Sequence, residues 1–274
     1  MFEIGIVEAK NIIKTINEKY HFDFSDYALT SFKRRIEVII EQNNLKYVDI
    51  LINKLLEDQK FFESILDKLI VPSSEMFRDP SLWRLLRDEI IPALVRDSGS
   101  NIKIWLPNSV SGDELFSLTI LLDEMGLLDK VSIQVSCLSE KNIDLIKSGY
   151  FDVSKLELSL ENYTRTNGKF DLSKYYKIDQ TKIIRDTNLI RNVTFFRQNE
   201  YTEPVPQGIK LVLFRNKMIY FNQVLQTKIL KNIYQSTSPG GYLIIGTKES
   251  LSQLFSYSDF VRVNNVESIY KRKG

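Results

Sequence analysis

The sequence predicts an α/β fold: a mostly parallel sheet with helices on both faces, preceded by an all-helical region. Three observations predict it. From residue 101 onward, short β-branched and aromatic runs alternate with segments whose apolar residues recur at helical spacing. Before about residue 72, helical spacing continues with no strand alternation. The stretch from Trp105 to Leu118 then reads as strand end, small-residue turn and acid-started helix, a unit typical of such sheets.

Composition narrows the function classes. The 274 residues are 43% hydrophobic and 26% charged, which supports a full core and a polar surface. No apolar run reaches the length of a membrane span, and the N-terminus lacks the charged and apolar regions of a signal peptide, so no membrane insertion is expected. The single cysteine, Cys137, excludes an internal disulfide and fits a reducing cytoplasm, the expected location. A net charge of +2 gives no global pull toward nucleic acid. One histidine, His21, leaves neither a Cys/His metal cluster nor a Ser-His-Asp triad, so no metal is expected. Any chemistry must run without an imidazole base.

Residues 1–72 form the first expected domain. Ile4–Ile16, Tyr47–Leu56 and Phe61–Leu69 carry apolar positions at helical spacing. Ser25 is expected to cap a helix with Tyr27, Leu29, Phe32, Ile36 and Ile39 on one side and Lys33, Arg34 and Arg35 on the other. Pro72, Ser73 and Ser74 break the helical run. Asp79-Pro80 restarts it, with aspartate at the cap and proline in the first turn, to about Val95. Ser74 through Arg78 is thus a linker squeezed between helices.

Residues 73–274 form the second domain. Expected strands are Ile102–Leu106, Val131–Leu138, Val193–Phe196, Lys210–Phe214 and Tyr242–Gly246; expected helices are Asp113–Met125, Glu140–Lys147 and Gln223–Gln235. Ser238 through Gly241 reads as a tight turn, and Asn264-Asn265 as the turn of a closing hairpin, Phe260–Val263 with Glu267–Lys271. Residues 151–192 read as an insertion holding a small β element. The turn carrying Gly112, with Asp113 and Glu114 opening the next helix, suits backbone N–H groups brought up to a nucleotide-like ligand, and equally an ordinary strand-to-helix connection.

Four stretches resemble the chemotaxis receptor methyltransferases of the CheR type: Tyr27 through Ile36, Ser74-Glu75-Met76-Phe77-Arg78-Asp79, Trp105 through Ser117, and Phe214-Arg215-Asn216-Lys217-Met218-Ile219-Tyr220-Phe221. The last is similar to a C-R-N-V-x-I-Y-F pattern and is the most specific. The resemblance implies a class I methyltransferase-like (Rossmann-like) sheet and S-adenosyl-L-methionine as cofactor, with S-adenosyl-L-homocysteine as product. It implies methyl-ester formation on glutamate side chains of a chemoreceptor. Arg78 and Tyr220 are then expected at the methyl-transfer site. Glu114, with Asp113, would take the methionine ammonium. Ser74, Gly112, Asn199, Arg215 and Asn216 would line the cofactor, and Lys33, Arg34 and Arg35 would meet an acidic helical receptor surface.

The sequence departs from that pattern in three places. Leu106, Pro107 and Asn108 replace small residues and are expected to narrow the pocket. Cys137 stands where the family has the aspartate that binds the ribose hydroxyls, so a thiol would contact the cofactor, and aspartate in its place would tighten binding. Pro72 and Met76 replace an asparagine and a phenylalanine. Two readings follow: an active methyltransferase, and a degenerate scaffold of the same fold acting as a signalling module.

Overall fold

The computed structural model describes residues 3–70, 74–99, 102–179, 182–198, 204–251, 260–264 and 266–274. The chain divides into two units, Met1–Pro72 with Lys217–Lys228, and Ser73–Asn216 with Ile229–Gly274.

In the first unit, α1 (Ile6–Tyr20), α2 (Leu29–Gln42), α3 (Val48–Glu57) and α4 (Gln59–Ile70) pack their apolar stripes together, α1 on α3 and α2 on α4. Ile12, Ile16, Phe32, Ile36, Leu51 and Leu55 are buried there. Ser25 does not cap α2: the chain first pairs Tyr27 with Phe221, and the Ala28 N–H donates to the Tyr220 carbonyl at 2.8 Å. The helix can begin only after that extended segment, at Leu29.

The second unit is built on a seven-stranded sheet, in the order β6-β2-β1-β7-β8-β10-β9. Its strands are β1 (Ile102–Leu106), β2 (Val131–Cys137), β6 (Val193–Arg197), β7 (Ile209–Phe214), β8 (Thr237–Ile245), β9 (Phe260–Asn264) and β10 (Ile269–Arg272). The first five in that order run parallel, and β10 is antiparallel to both neighbours. This is the class I methyltransferase-like arrangement. The expected turn at Ser238–Gly241 lies inside β8. Pairing jumps from Ile209↔Thr237 to Leu211↔Tyr242, so the extra residues form a bulge with Gly240 at φ +74°.

The helix from Pro80 is interrupted. α5 (Pro80–Leu85) passes through a π-helical turn, Leu86–Ile90, into α6 (Ile91–Ser98). Pro92 has no N–H for the carbonyl four residues back, which accounts for the widened turn. The remaining helices are α7 (Asp113–Glu124), α8 (Glu140–Lys147), α9 (Leu156–Arg165) and α10 (Gln223–Ser236). Among the described residues no helix is long and apolar enough to cross a membrane.

The insertion holds a small antiparallel sheet, with β5 (Lys182–Arg185) between β3 (Tyr150–Phe151) and β4 (Tyr176–Asp179). It also contains α9. Arg87 donates to the Thr166 and Asn167 carbonyls just past the end of α9 at 2.8 and 3.0 Å, a charge-assisted helix C-terminus. The Tyr163 and Tyr175 hydroxyls both donate to Glu124 on α7. Burial, helped by the Glu124 charge, pushes both phenols above the usual tyrosine range. Neutral tyrosine is thereby favoured in the folded state. The stability these groups confer is complete below the free-tyrosine pKa of about 10 and declines above it. Absorbance titration at 295 nm is expected to show tyrosines resisting ionisation until the chain unfolds in alkali.

Candidate functional site

In an open α/β sheet, ligands bind beyond the carboxyl ends of the strands, where the strand order reverses. The chain runs outward from β1 to β2 and β6, then restarts at β7 on the other side of β1. The reversal therefore lies between β1 and β7. Two turns flank it: residues 107–112 after β1, and Arg215-Asn216 after β7.

The first turn is stitched to β2. Ser136 Oγ accepts from Trp105 Nε1 at 3.2 Å, and the Ser136 carbonyl accepts from the Ser109 N–H at 2.9 Å. Gly112 precedes α7 at φ +74°, and a Cβ there would meet Ile146 Cγ2 at 2.9 Å. Both facts demand glycine. Gly112→Ala is expected to cost about 1–2 kcal/mol from the left-handed backbone alone, and more from the clash. Thermal melting checks the stability, and titration with S-adenosylhomocysteine checks the displaced turn.

The second turn carries a buried cation. Arg215 is 4% exposed at its side chain. Its guanidinium donates to Glu114 Oε1 at 3.0 Å, Asp79 Oδ2 at 2.6 Å and the Arg78 carbonyl at 3.0 Å. Linker, helix start and strand end are thus tied at one point. Arg215, expected to line the cofactor, clamps these three segments together. Asn216 follows at φ +57°. Its N–H and that of Gly246 both donate to Glu249 Oε2, at 2.9 and 2.6 Å. Glu249 is a buried acid that no motif had singled out.

The linker is strained at its centre. Phe77 and Asp79 have φ values of +54° and +57°, unfavourable for residues with a Cβ and most so for a bulky aromatic. Packing holds them. The Phe77 N–H donates to Ser117 Oγ at 2.8 Å, its ring packs on Trp83 and Tyr163, and Asn162 Nδ2 donates to the Met76 carbonyl at 3.2 Å. Trp83 Nε1 joins Arg215 on the Arg78 carbonyl. Asp79 occupies the N-cap of α5 without capping it, because its carboxylate turns to Arg215. Between these fixed residues the Arg78 side chain remains 38% exposed, with Glu75 Oε1 3.6 Å from its Nε. Among the described residues its terminal nitrogens make no hydrogen bond.

Other expected site residues are placed as follows. Ser74 is half-buried at the start of this linker. Asp113 is 2% exposed and paired with Arg185 and Lys155, each at 2.9 Å, while Ser111 Oγ donates to it at 2.8 Å. Both of its oxygens are thus engaged by cations within the protein, which leaves the expected ammonium to Glu114. Glu114 keeps that role open: it is 17% exposed, and among the described residues its Oε2 has no partner. Cys137 is fully buried in the hydrophobic cluster. It follows Val131, Ile133 and Val135 on the inward side of the β2 pleat, and the thiol presents no surface to a ligand. Cys137→Asp would place a carboxylate in that cluster, so tighter cofactor binding is no longer expected of it. Leu106 likewise packs into the cluster. Asn199 lies outside the described residues.

In the helical unit, Lys33 is half-buried and Arg34 exposed. Arg35 leaves the expected basic patch. Its guanidinium lies over the Tyr220 ring, 4.3 Å from the centroid, and donates to the Leu69 carbonyl, while burial pulls its pKa below the usual arginine range. Three consecutive helical residues point about 100° apart, so they do not share one face. Tyr220 is half-buried on a 3₁₀ turn, Met218–Tyr220, under that arginine.

Comparison with known proteins decides the family. Residues 72–266 match the family described as "CheR methyltransferase, SAM binding domain", and residues 8–70 match "CheR methyltransferase, all-alpha domain". The chain belongs to the CheR methyltransferase family. It is 34% identical over 253 residues to a Pseudomonas putida chain provisionally named methyltransferase Cher3, covering 92% of each. It is 30% identical over 214 residues to a chemotaxis protein methyltransferase of Vibrio parahaemolyticus, covering 76% of this chain and 75% of that one. Among solved structures, the N-methyltransferase NodS of Bradyrhizobium japonicum is similar at 8% identity and a TM-score of 0.36, over 72% of this chain and 99% of that one.

S-adenosylmethionine is the cofactor of this CheR domain. The donor set fits its methionine end. The first-turn N–H groups of α7 lack carbonyl partners within the helix and suit a carboxylate. The Glu114 Oε2 suits an ammonium.

Proposed function

We propose that this CheR-family methyltransferase forms methyl esters on glutamate side chains in an acidic helical region of a chemoreceptor. The observation that carries this reading is the Arg78 guanidinium, presented from a turn whose backbone is bonded on both sides. When bound, S-adenosylmethionine would supply a sulfonium-activated methyl group to the substrate carboxylate and leave as S-adenosylhomocysteine, its methionine end held by Glu114 and the first turn of α7. No proton moves, because a glutamate carboxylate, with an ordinary pKa of about 4.3, is already ionised near neutrality. A base is therefore unnecessary, in keeping with a single histidine that terminates α1.

The residues have positioning and electrostatic work to do. Glu114 holds the ammonium of the methionine portion. Arg78 would hold the substrate carboxylate through its exposed guanidinium. Arg215 keeps Arg78 and Glu114 in register by bonding to both segments. On the helical unit, Lys33 and Arg34 face the acidic receptor surface, their attraction falling with salt. The degenerate-scaffold reading has no observation in its favour.

The test is transfer of a radiolabelled methyl group from S-adenosylmethionine to soluble receptor signalling fragments. Label released by mild base as methanol is the expected result. Protein that binds S-adenosylhomocysteine but labels no carboxylate would overturn the proposed substrate class.

A further inference from the structure

Arg185 lies on the central strand of the small insertion sheet, yet its side chain ends at the turn that opens α7. It is 2% exposed. Its Nη1 donates to Asp113 Oδ1 at 2.9 Å, and its Nη2 donates to the Ser111 carbonyl at 2.8 Å and the Tyr150 carbonyl at 2.6 Å. Its Nε reaches the Gly149 carbonyl at 3.4 Å, and its own backbone N–H donates to that same oxygen at 2.8 Å. The guanidinium is stacked over Phe116 of α7, 4.1 Å from the ring centroid, and lies 5.3 Å from that of Phe151 on β3. Gly149 cannot carry a side chain, because a Cβ there would meet the Arg185 carbonyl at 2.6 Å. One planar fork thus bonds two segments of the insertion to both sides of Gly112.

We infer that Arg185 is a positioning residue for the cofactor: through it the three-stranded sheet sets the geometry of Ser111–Asp113 and with it the affinity for S-adenosylmethionine. The inference rests on the reading that this turn and Glu114 face the cofactor. Only a guanidinium has donors in the directions these acceptors require; a lysine ammonium keeps the charge opposite Asp113 but cannot span the Ser111 and Tyr150 carbonyls together. Displacing a ligand-bearing turn by a fraction of an ångström is enough to matter, because binding and catalysis depend steeply on such geometry. The insertion is thereby a part of the cofactor site, although none of its residues need touch the ligand.

The test is Arg185→Lys in the full chain, read by calorimetric titration with S-adenosylhomocysteine and by steady-state kinetics. About tenfold weaker binding is expected, with a matching rise in the S-adenosylmethionine KM and little change in kcat at saturation. A purely structural residue would lower the melting temperature without that split. Wild-type affinity and KM in the variant would overturn the inference. Should the variant fail to fold, hydrogen exchange on the wild-type protein serves instead. Adding S-adenosylhomocysteine is expected to slow exchange at the Arg185 amide, and an unchanged rate there would overturn the inference. Glu114→Gln separates the two claims. If it weakens binding while Arg185→Lys does not, only the role of Arg185 fails; if neither weakens binding, the placement of the cofactor at this turn fails too.

Discussion

Arg78→Ala is expected to slow methyl transfer by about 10²–10³-fold, the loss typical when one preorganised electrostatic group is removed from a reacting centre. Binding of S-adenosylhomocysteine is expected to change far less than the rate. The fold should survive, because the Arg78 side chain is 38% exposed and its described partner is Glu75 at 3.6 Å. What the surrounding structure holds is the Arg78 carbonyl, through Trp83 and Arg215, and alanine retains it. Initial rates with receptor fragments, alongside calorimetry and circular dichroism, check all three parts. An unchanged rate would remove Arg78 from the site.

Arg215→Met is expected to act in the opposite sense, on stability first. It removes the cation shared by Asp79 and Glu114 and leaves two carboxylates facing an apolar thioether. Breaking a buried pair from one side costs about 3–5 kcal/mol, and the low end applies because the Asp79 side chain keeps 30% exposure. For a chain of this size, about 3 kcal/mol corresponds to a fall in Tm of roughly 6–12 °C. Adding Asp79→Asn to Arg215→Met is expected to recover part of the loss, since one of the two orphaned charges disappears. A double variant no more stable than the single one would show that the orphaned charges are not the cause. Turnover should fall in both, because the Arg78 turn has lost its tie.

Much of the fold was legible because period-2 and helical patterns are local. β1 and α8 fall where the alternation and spacing put them, and Gly112 announces its own turn. Candidate site residues are nameable from sequence where motifs are contiguous, as in Ser74–Asp79 and Arg215-Asn216. What escaped depends on partners distant along the chain. Asp113 reads as a ligand until Arg185, 72 residues later, is seen to occupy it. Arg215 reads as a pocket wall until its bonds to Asp79 and Glu114 are seen, 136 and 101 residues away. Cys137 reads as a ribose contact from its motif position alone, whereas the pleat of β2 puts its side chain with Val131, Ile133 and Val135 in the apolar cluster. Glu249 had a quieter signal: an acid shortly after a glycine at a strand end, able to reach back to two amides.

The backbone around Arg78 has a consequence for laboratory evolution of this enzyme. Two left-handed residues that are not glycine cost about 1–2 kcal/mol each. Glycine at position 79 would relax one of them, but it would also delete a partner of the buried Arg215, and that loss is the larger. Screens that reward survival on heating alone should therefore leave residue 79 unchanged, and a library can hold it constant without forgoing thermal tolerance.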